Sequence, residues 1–173
     1  MGFQIRNEAK KDIDQVREIL KATFPCDVES KLVDSLRTNG KGIISLVANQ
    51  EEQVLGHILF SPVTTSPPGE AKGIGLAPVA VRPDVQSQGI GSHLIREGLR
   101  LCQELGDDYC VVPGAPKYYE RFWFERASNF GLQDESRVDN EFMVIRFTKP
   151  ELSEERLADK LVIRAPEFGL FPI

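Results

Sequence analysis

Two glycine pairs, Gly73-Ile74-Gly75 and Gly89-Ile90-Gly91, are of the type and spacing that could hold a phosphate. A backbone cradle for an anion needs glycines that let the chain approach closely. It also needs, directly after them, a helix whose first N–H groups and positive dipole end face the ligand. "LAPVAV" follows Gly75 and reads as a strand, so the first pair is expected to be a loop end entering a sheet. "SHLIREGLRL" follows Gly91 and reads as a helix, which makes Gly89 and Gly91 the candidate cradle. The familiar nucleotide motifs do not fit it. Ser92 and His93 stand where a P-loop needs Lys and Ser/Thr, and Leu94 stands where a dinucleotide fingerprint needs its third glycine.

The elements that must position this turn can be read from periodicity. "FQIR" reads as a strand and Asn7 as the cap of a helix carrying Ile13, Val16, Ile19, Leu20 and Phe24 on one stripe. After Pro25 and Cys26, the residues Val28, Leu32, Val33 and Leu36 mark a second helix ended by Asn39 and Gly40. "GIISLVAN" and "QVLGHILFSPV" form a predicted antiparallel hairpin around "QEEQ". "TTSPPGEAKG" reads as a loop, and "IGLAPVAVRP" as a strand ended by Pro83. The helix from Gln88 to about Leu105 carries Leu94, Leu101 and Leu105 on one stripe, with Ile95, Leu99 and Cys102 beside it. "DDYCVV" reads as a buried strand and "APKYYERF" as a short helix introduced by Pro116. "EFMVIRFT" and "KLVIRA" read as further strands. The predicted order β-α-α-β-β-β-α-β-α-β belongs to the mixed α/β (α+β) class, with an antiparallel N-terminal half and a single domain over residues 1–173.

Composition excludes several functions. The 173 residues carry a formal net charge of −5 with Lys and Arg spread along the chain, which argues against a nucleic-acid surface. The three cysteines, Cys26, Cys102 and Cys110, show no metal-ligand or disulfide spacing, so no metal site and a reducing, cytoplasmic home are expected. No apolar run approaches the roughly 18 residues of a membrane span, and neither a secretory core nor a myristoylation signal opens the chain. His57, in "VLGHILF", reads as a structural histidine on an apolar strand or as a group facing an acceptor, and His93 as a solvated side chain. Cys110 lacks an evident His partner and reads as packing rather than as a nucleophile.

The stretch "VAVRPDVQSQGIGSHLIREGL" resembles, without a gap, the acetyl-CoA-binding motif Gln/Arg-x-x-Gly-x-Gly/Ala of the GCN5-related N-acetyltransferases (GNAT). "YYERFWF" is similar to the family's downstream Tyr-x-x-x-Gly-Phe segment, and "ESKLVDSLR" with "GAPKYYERF" resembles an unassigned bacterial branch. The resemblance implies a mixed, splayed central sheet with helices on both faces. It implies a pyrophosphate of acetyl-CoA or coenzyme A held by the backbone N–H groups of Ser87, Gln88, Gly89, Ile90, Gly91 and Ser92, with Gln86 of the motif also among the cofactor-binding residues. It further implies a pantetheine arm paired with Val79, Ala80 and Val81. Tyr119, four residues before Trp123, is the implied proton donor to the departing thiolate, the other reading being that both tyrosines are aromatic core. Trp123 stands at the family's usual glycine and Val112 at an asparagine common in other branches.

The implied activity is acetyl transfer to a primary amine of a small molecule or peptide, directly within a ternary complex. A non-catalytic acyl-CoA sensor or interaction module is the alternative. The protein is expected to be a monomer or homodimer without nucleic-acid or membrane partners. No carboxylate on "IGLAPVAV" supplies a base. "FPCDVES" and "SPVTTSPPGEAKG", with Glu29 and Glu70, are expected to bound the acceptor cavity.

Overall fold

The computed structural model describes residues 2–135, 141–147 and 157–170. In chain order their regular elements are β1 (Gln4–Asn7), α1 (Ile13–Thr23), α2 (Val28–Thr38), β2 (Ile44–Gln50), β3 (Gln53–Ser66), β4 (Gly73–Val81) and α3 (Ile90–Glu104). Then come β5 (Tyr109–Pro113), α4 (Pro116–Tyr119), β6 (Glu125–Arg126), β7 (Leu132–Asp134), β8 (Phe142–Arg146), β9 (Lys160–Arg164) and α5 (Glu167–Leu170). The strands make a mixed, open sheet, and the chain forms two compact units, each built from separated segments.

The first unit comprises Met1–Ser61, Ala77–Leu99 and Pro166–Ile173. β1, β2 and β3 pair antiparallel within it, as the hairpin pattern predicts, and Gln50 opposite Gln53 closes the β2–β3 turn on Glu51 and Glu52. The stripes of α1 (Val16, Ile19, Leu20) and α2 (Leu32, Val33, Leu36) are buried, as are Leu46, Ile58 and Phe60 of the hairpin. Each such side chain contributes about 1.5–3 kcal/mol by leaving water. α3 lies so close to β3 that a Cβ at Gly98 would overlap the Phe60 ring.

The second unit comprises Pro62–Leu76 and Arg100–Ala165. Within it β4 and β5 run parallel over Gly73–Gly75, and β8 is antiparallel to both β5 and β6. β9 pairs antiparallel with the end of β3, Val63 to Ser66, and parallel with β7. Its core gathers Val63, Tyr109, Val111, Phe130, Phe142, Val144 and Leu157.

Several local expectations are corrected. Asn7 is not a helix cap, because it remains in β1 opposite Leu46. The free Ala9 N–H is satisfied instead by the Asp12 carboxylate at 2.7 Å, itself held by Arg6 at 2.6 Å. Thr64, Thr65 and Ser66 belong to β3 rather than to a loop, since β9 supplies a ladder for them. Leu105 falls beyond the end of α3 and is half exposed, so the buried stripe ends at Cys102. The expected strand "EFMVIRFT" ends at Arg146, and Thr148 lies outside the described residues.

Candidate active site

In the first unit, β4 leaves the sheet at Arg82, whose N–H donates to the Leu55 carbonyl of β3 at 2.8 Å. Backbone groups alternate in direction along a strand, so those of Val79 and Val81 face away from β3. A turn at Pro83–Val85 then leads to Ser87 and Gly89, with φ of 62° and 85°, before α3 begins at Ile90. The left-handed region strongly favours glycine. At Gly89 this torsion, not space, makes the requirement, because a Cβ would meet only the His93 ring at an ordinary 3.7 Å. The opening amides of a helix, Ile90 and Gly91 here, have no intrahelical acceptor. They open a 15-residue helix whose dipole favours an anion at this end.

Two side chains brace the turn. Gln86 Nε2 donates to the Val81 carbonyl at 3.0 Å, and Thr23 Oγ1 at the end of α1 donates to the same oxygen at 3.2 Å. The motif glutamine therefore ties the turn back to β4. Thr23 escaped sequence reading because nothing local marks a contact between α1 and the far end of β4. His93 is half-buried rather than solvated: Nδ1 lies 2.8 Å from the Gly89 carbonyl, and Phe3 packs edge-on at 5.4 Å. A carbonyl only accepts, so Nδ1 carries the proton and Nε2 is bare when the ring is neutral.

Tyr119 belongs to the second unit, at the end of the short helix that Pro116 opens. Its ring is buried edge-on against Tyr118 and Phe124, at 5.1 and 5.6 Å. A Cβ at Gly114 would overlap that ring, so this glycine is what lets it lie against the backbone. Burial raises the Tyr119 phenol above its ordinary value, which keeps the proton on it throughout the neutral range. Tyr118 is only half-buried and lies under the Arg121 guanidinium at 5.1 Å.

Trp123 takes the left-handed conformation, φ 70°, at the end of this segment. Its N–H donates to the Glu120 carbonyl, and the Phe124 N–H reaches back to that of Tyr119 at 3.4 Å, a Schellman closure in which glycine is usual. Val112 is buried in β5 opposite Met143. Burial pushes the Cys110 thiol well up, which disfavours a nucleophilic thiolate.

Of the remaining polar candidates, His57 and Glu29 lie in the first unit. His57 is fully buried, with Nε2 2.9 Å from Ser45 Oγ. That hydroxyl gives its single proton to Glu8 Oε2 at 2.8 Å, so His57 Nε2 must donate to it, and Nδ1 is bare and unpaired. A serine that donates to a carboxylate is not activated by this imidazole, and the trio ties the residue that follows β1 to β2 and β3. Arg37 of α2 completes it through Glu8 at 2.5 Å. Glu29, in the first turn of α2, has one buried carboxylate oxygen without a hydrogen-bond partner. Glu70 lies exposed in the second unit.

Residues 13–124 match the family model described as the acetyltransferase (GNAT) family. The chain is 38% identical over 131 residues to the uncharacterized N-acetyltransferase YhbS of Escherichia coli K12, covering 75% of this chain and 77% of that protein. It is 34% identical over 119 residues to YjhQ of the same strain, covering 67% and 66%. Among solved structures it resembles E. coli YhbS in complex with CoA, with a TM-score of 0.89, 32% identity, and coverage of 100% and 95%. It also resembles a GNAT family acetyltransferase of Brucella melitensis in complex with acetyl-CoA, with a TM-score of 0.71, 35% identity, and coverage of 85% and 89%.

Proposed function

The chain belongs to the acetyltransferase (GNAT) family, and from that premise we propose that it binds acetyl-CoA at the mouth of α3 and moves the acetyl group directly to a primary amine within a ternary complex. The observation that carries this reading is the turn itself. Left-handed Ser87 and Gly89 feed the open amides of a long helix, with Gln86 bracing the turn, and this suits a doubly charged pyrophosphate. Two of its structural relatives are complexes with CoA and acetyl-CoA, which supports the same ligand here. The residues that would hold it are Gln86, Ser87, Gln88, Gly89, Ile90, Gly91 and Ser92. Val79, Ala80 and Val81 would lie along its pantetheine arm. Because Thr23 and Gln86 occupy the Val81 carbonyl, the outward groups offered there are the Val81 N–H and both groups of Val79.

Bound acetyl-CoA supplies an acetyl thioester. The acceptor nitrogen must be neutral to attack, although amines of this kind have a pKa near about 10.4 and are mostly protonated at neutral pH. Tyr119 holds its proton firmly and is proposed to give it to the departing thiolate. We take the acceptor to be a small molecule or peptide, the working compartment to be cytoplasmic, in keeping with three free cysteines, and the chain to act as one domain. Among the described residues no helix is long and apolar enough to cross a membrane.

Calorimetric titration with acetyl-CoA tests the cradle. Wild-type protein should bind with a Kd well below millimolar, and Gly89→Glu should abolish binding, because it puts a carboxylate and a disfavoured torsion where the phosphates belong. Undiminished affinity in that variant removes the assignment.

A further inference from the structure

We propose that Thr23 is a positioning residue for the cofactor arm: by closing the last outward acceptor on β4, its hydroxyl fixes the register in which pantetheine pairs with that strand, and so the depth at which the thioester is presented. This rests on the acetyl-CoA reading above and goes beyond it by assigning a residue outside the glycine motif. The Arg82 N–H is turned toward β3, where it meets the Leu55 carbonyl at 2.8 Å, and in a trans peptide the Val81 carbonyl points the opposite way. That side is a free strand edge, because among the described residues the ladder from β4 to β5 stops at Gly75. An unpaired edge is a template for an extended ligand.

A carbonyl oxygen has two lone pairs. At Val81 one is taken by Thr23 Oγ1 at 3.2 Å and the other by Gln86 Nε2 at 3.0 Å, so nothing is left on this oxygen for a cofactor amide. Gln86 alone would leave one lone pair open. The next outward carbonyl is that of Val79, two residues and about 6.6 Å back along the strand. An arm free to use either carbonyl would settle in two registers, with its sulfur displaced by up to that distance. A misplacement of about 1 Å already costs a reaction on the order of a hundredfold, so a single register is worth enforcing. Thr23, the last residue of α1, does this through Val81 and touches no reacting atom.

Acetyl-CoA labelled with carbon-13 at the thioester carbonyl reads the register by NMR. Wild-type protein saturated with it should give one bound resonance. Thr23→Val, which keeps the shape and removes the donor, should give a second resonance or a displaced average of two, and Thr23→Ala should do the same. Exchanging one neutral hydrogen bond for another leaves the two registers within about tenfold of each other, so at least about one bound molecule in ten should occupy the new one. Thr23→Ser should restore the single wild-type resonance. Ile19→Val, which loosens the same helix without touching this bond, should lower the melting temperature and leave the resonance alone. Calorimetry with 3′-phosphoadenosine 5′-diphosphate, which carries the pyrophosphate and no arm, should give one affinity in all of these proteins.

Four outcomes overturn the assignment: an unchanged single resonance in both Thr23→Val and Thr23→Ala, the same spectral change in Ile19→Val, no restoration by Thr23→Ser, and a loss of affinity for the armless fragment in Thr23→Val. Failure of wild-type protein to bind acetyl-CoA instead removes the proposed function on which the inference stands.

Discussion

His57 illustrates how much chemistry one residue's surroundings can fix. Burial pushes its pKa from 6.5 down to about 4, the Arg37 charge adds to this, and Glu8 only partly offsets it. The folded protein therefore keeps the ring neutral where the unfolded chain would begin to charge it. Below about pH 6.5 the unfolded state takes up a proton that the folded state refuses. This contribution to stability is complete above 6.5 and is lost progressively down to about 4, to the extent of roughly 3 kcal/mol. Urea midpoints between pH 4.5 and 7.5 should fall with acidity in wild-type protein and much less in His57→Gln. An equal slope in both would assign the titration elsewhere. Asp12, held low by Arg6, does not compete, since its stabilising effect is lost only below the ordinary carboxylate range. The tyrosine pair gives a second prediction at this scale. Tyr119→Phe should lower kcat by roughly 10²–10⁴-fold, the usual worth of general acid catalysis, with acetyl-CoA affinity kept. Tyr118→Phe should change kcat little. The reverse order would shift the assignment by one residue, and two silent variants would make both rings packing.

The closure of the α4 segment and the packing of α3 carry the predictions made by whole elements. Trp123 is 83% exposed, so little packing is lost with it, while a left-handed torsion costs a non-glycine residue about 1–2 kcal/mol. Trp123→Gly should therefore raise the melting temperature by about 2–4 °C per kcal/mol recovered, whereas Trp123→Ala, which keeps the torsional cost, should not. In α3 two effects oppose each other at Gly98. Alanine improves helix propensity by about 1 kcal/mol, but its methyl would enter the space of the Phe60 ring, and overpacking costs typically about 1–3 kcal/mol. The clash should win, so Gly98→Ala should lower stability, and Phe60→Leu in the same protein should recover part of the loss. A Gly98→Ala variant more stable than wild type would mean that α3 moves off β3 freely.

At the scale of the molecule, both compact units are made of segments far apart in the sequence, so neither is a contiguous piece of chain. We therefore expect a single unfolding transition, with circular dichroism and tryptophan fluorescence coincident in guanidinium; two separated transitions would divide the chain into independent domains. What could be read from the sequence alone was whatever depends on near neighbours: the stripes of α1 and α2, the β2–β3 hairpin, the helix opened by Pro116, and the glycine turn at the mouth of α3. Periodicity and torsional preference act over a turn or two of chain, so these signals survive without the fold. Tertiary structure alone decided what depends on distant partners. β9 makes strand residues of Thr64–Ser66, Asp12 takes the capping role from Asn7, Thr23 occupies the Val81 carbonyl, and Ser45 with Glu8 fixes the His57 tautomer. Each of these is a hydrogen bond whose second half lies elsewhere in the chain or is decided by a competing partner, and such a bond leaves no mark on the sequence around its first half.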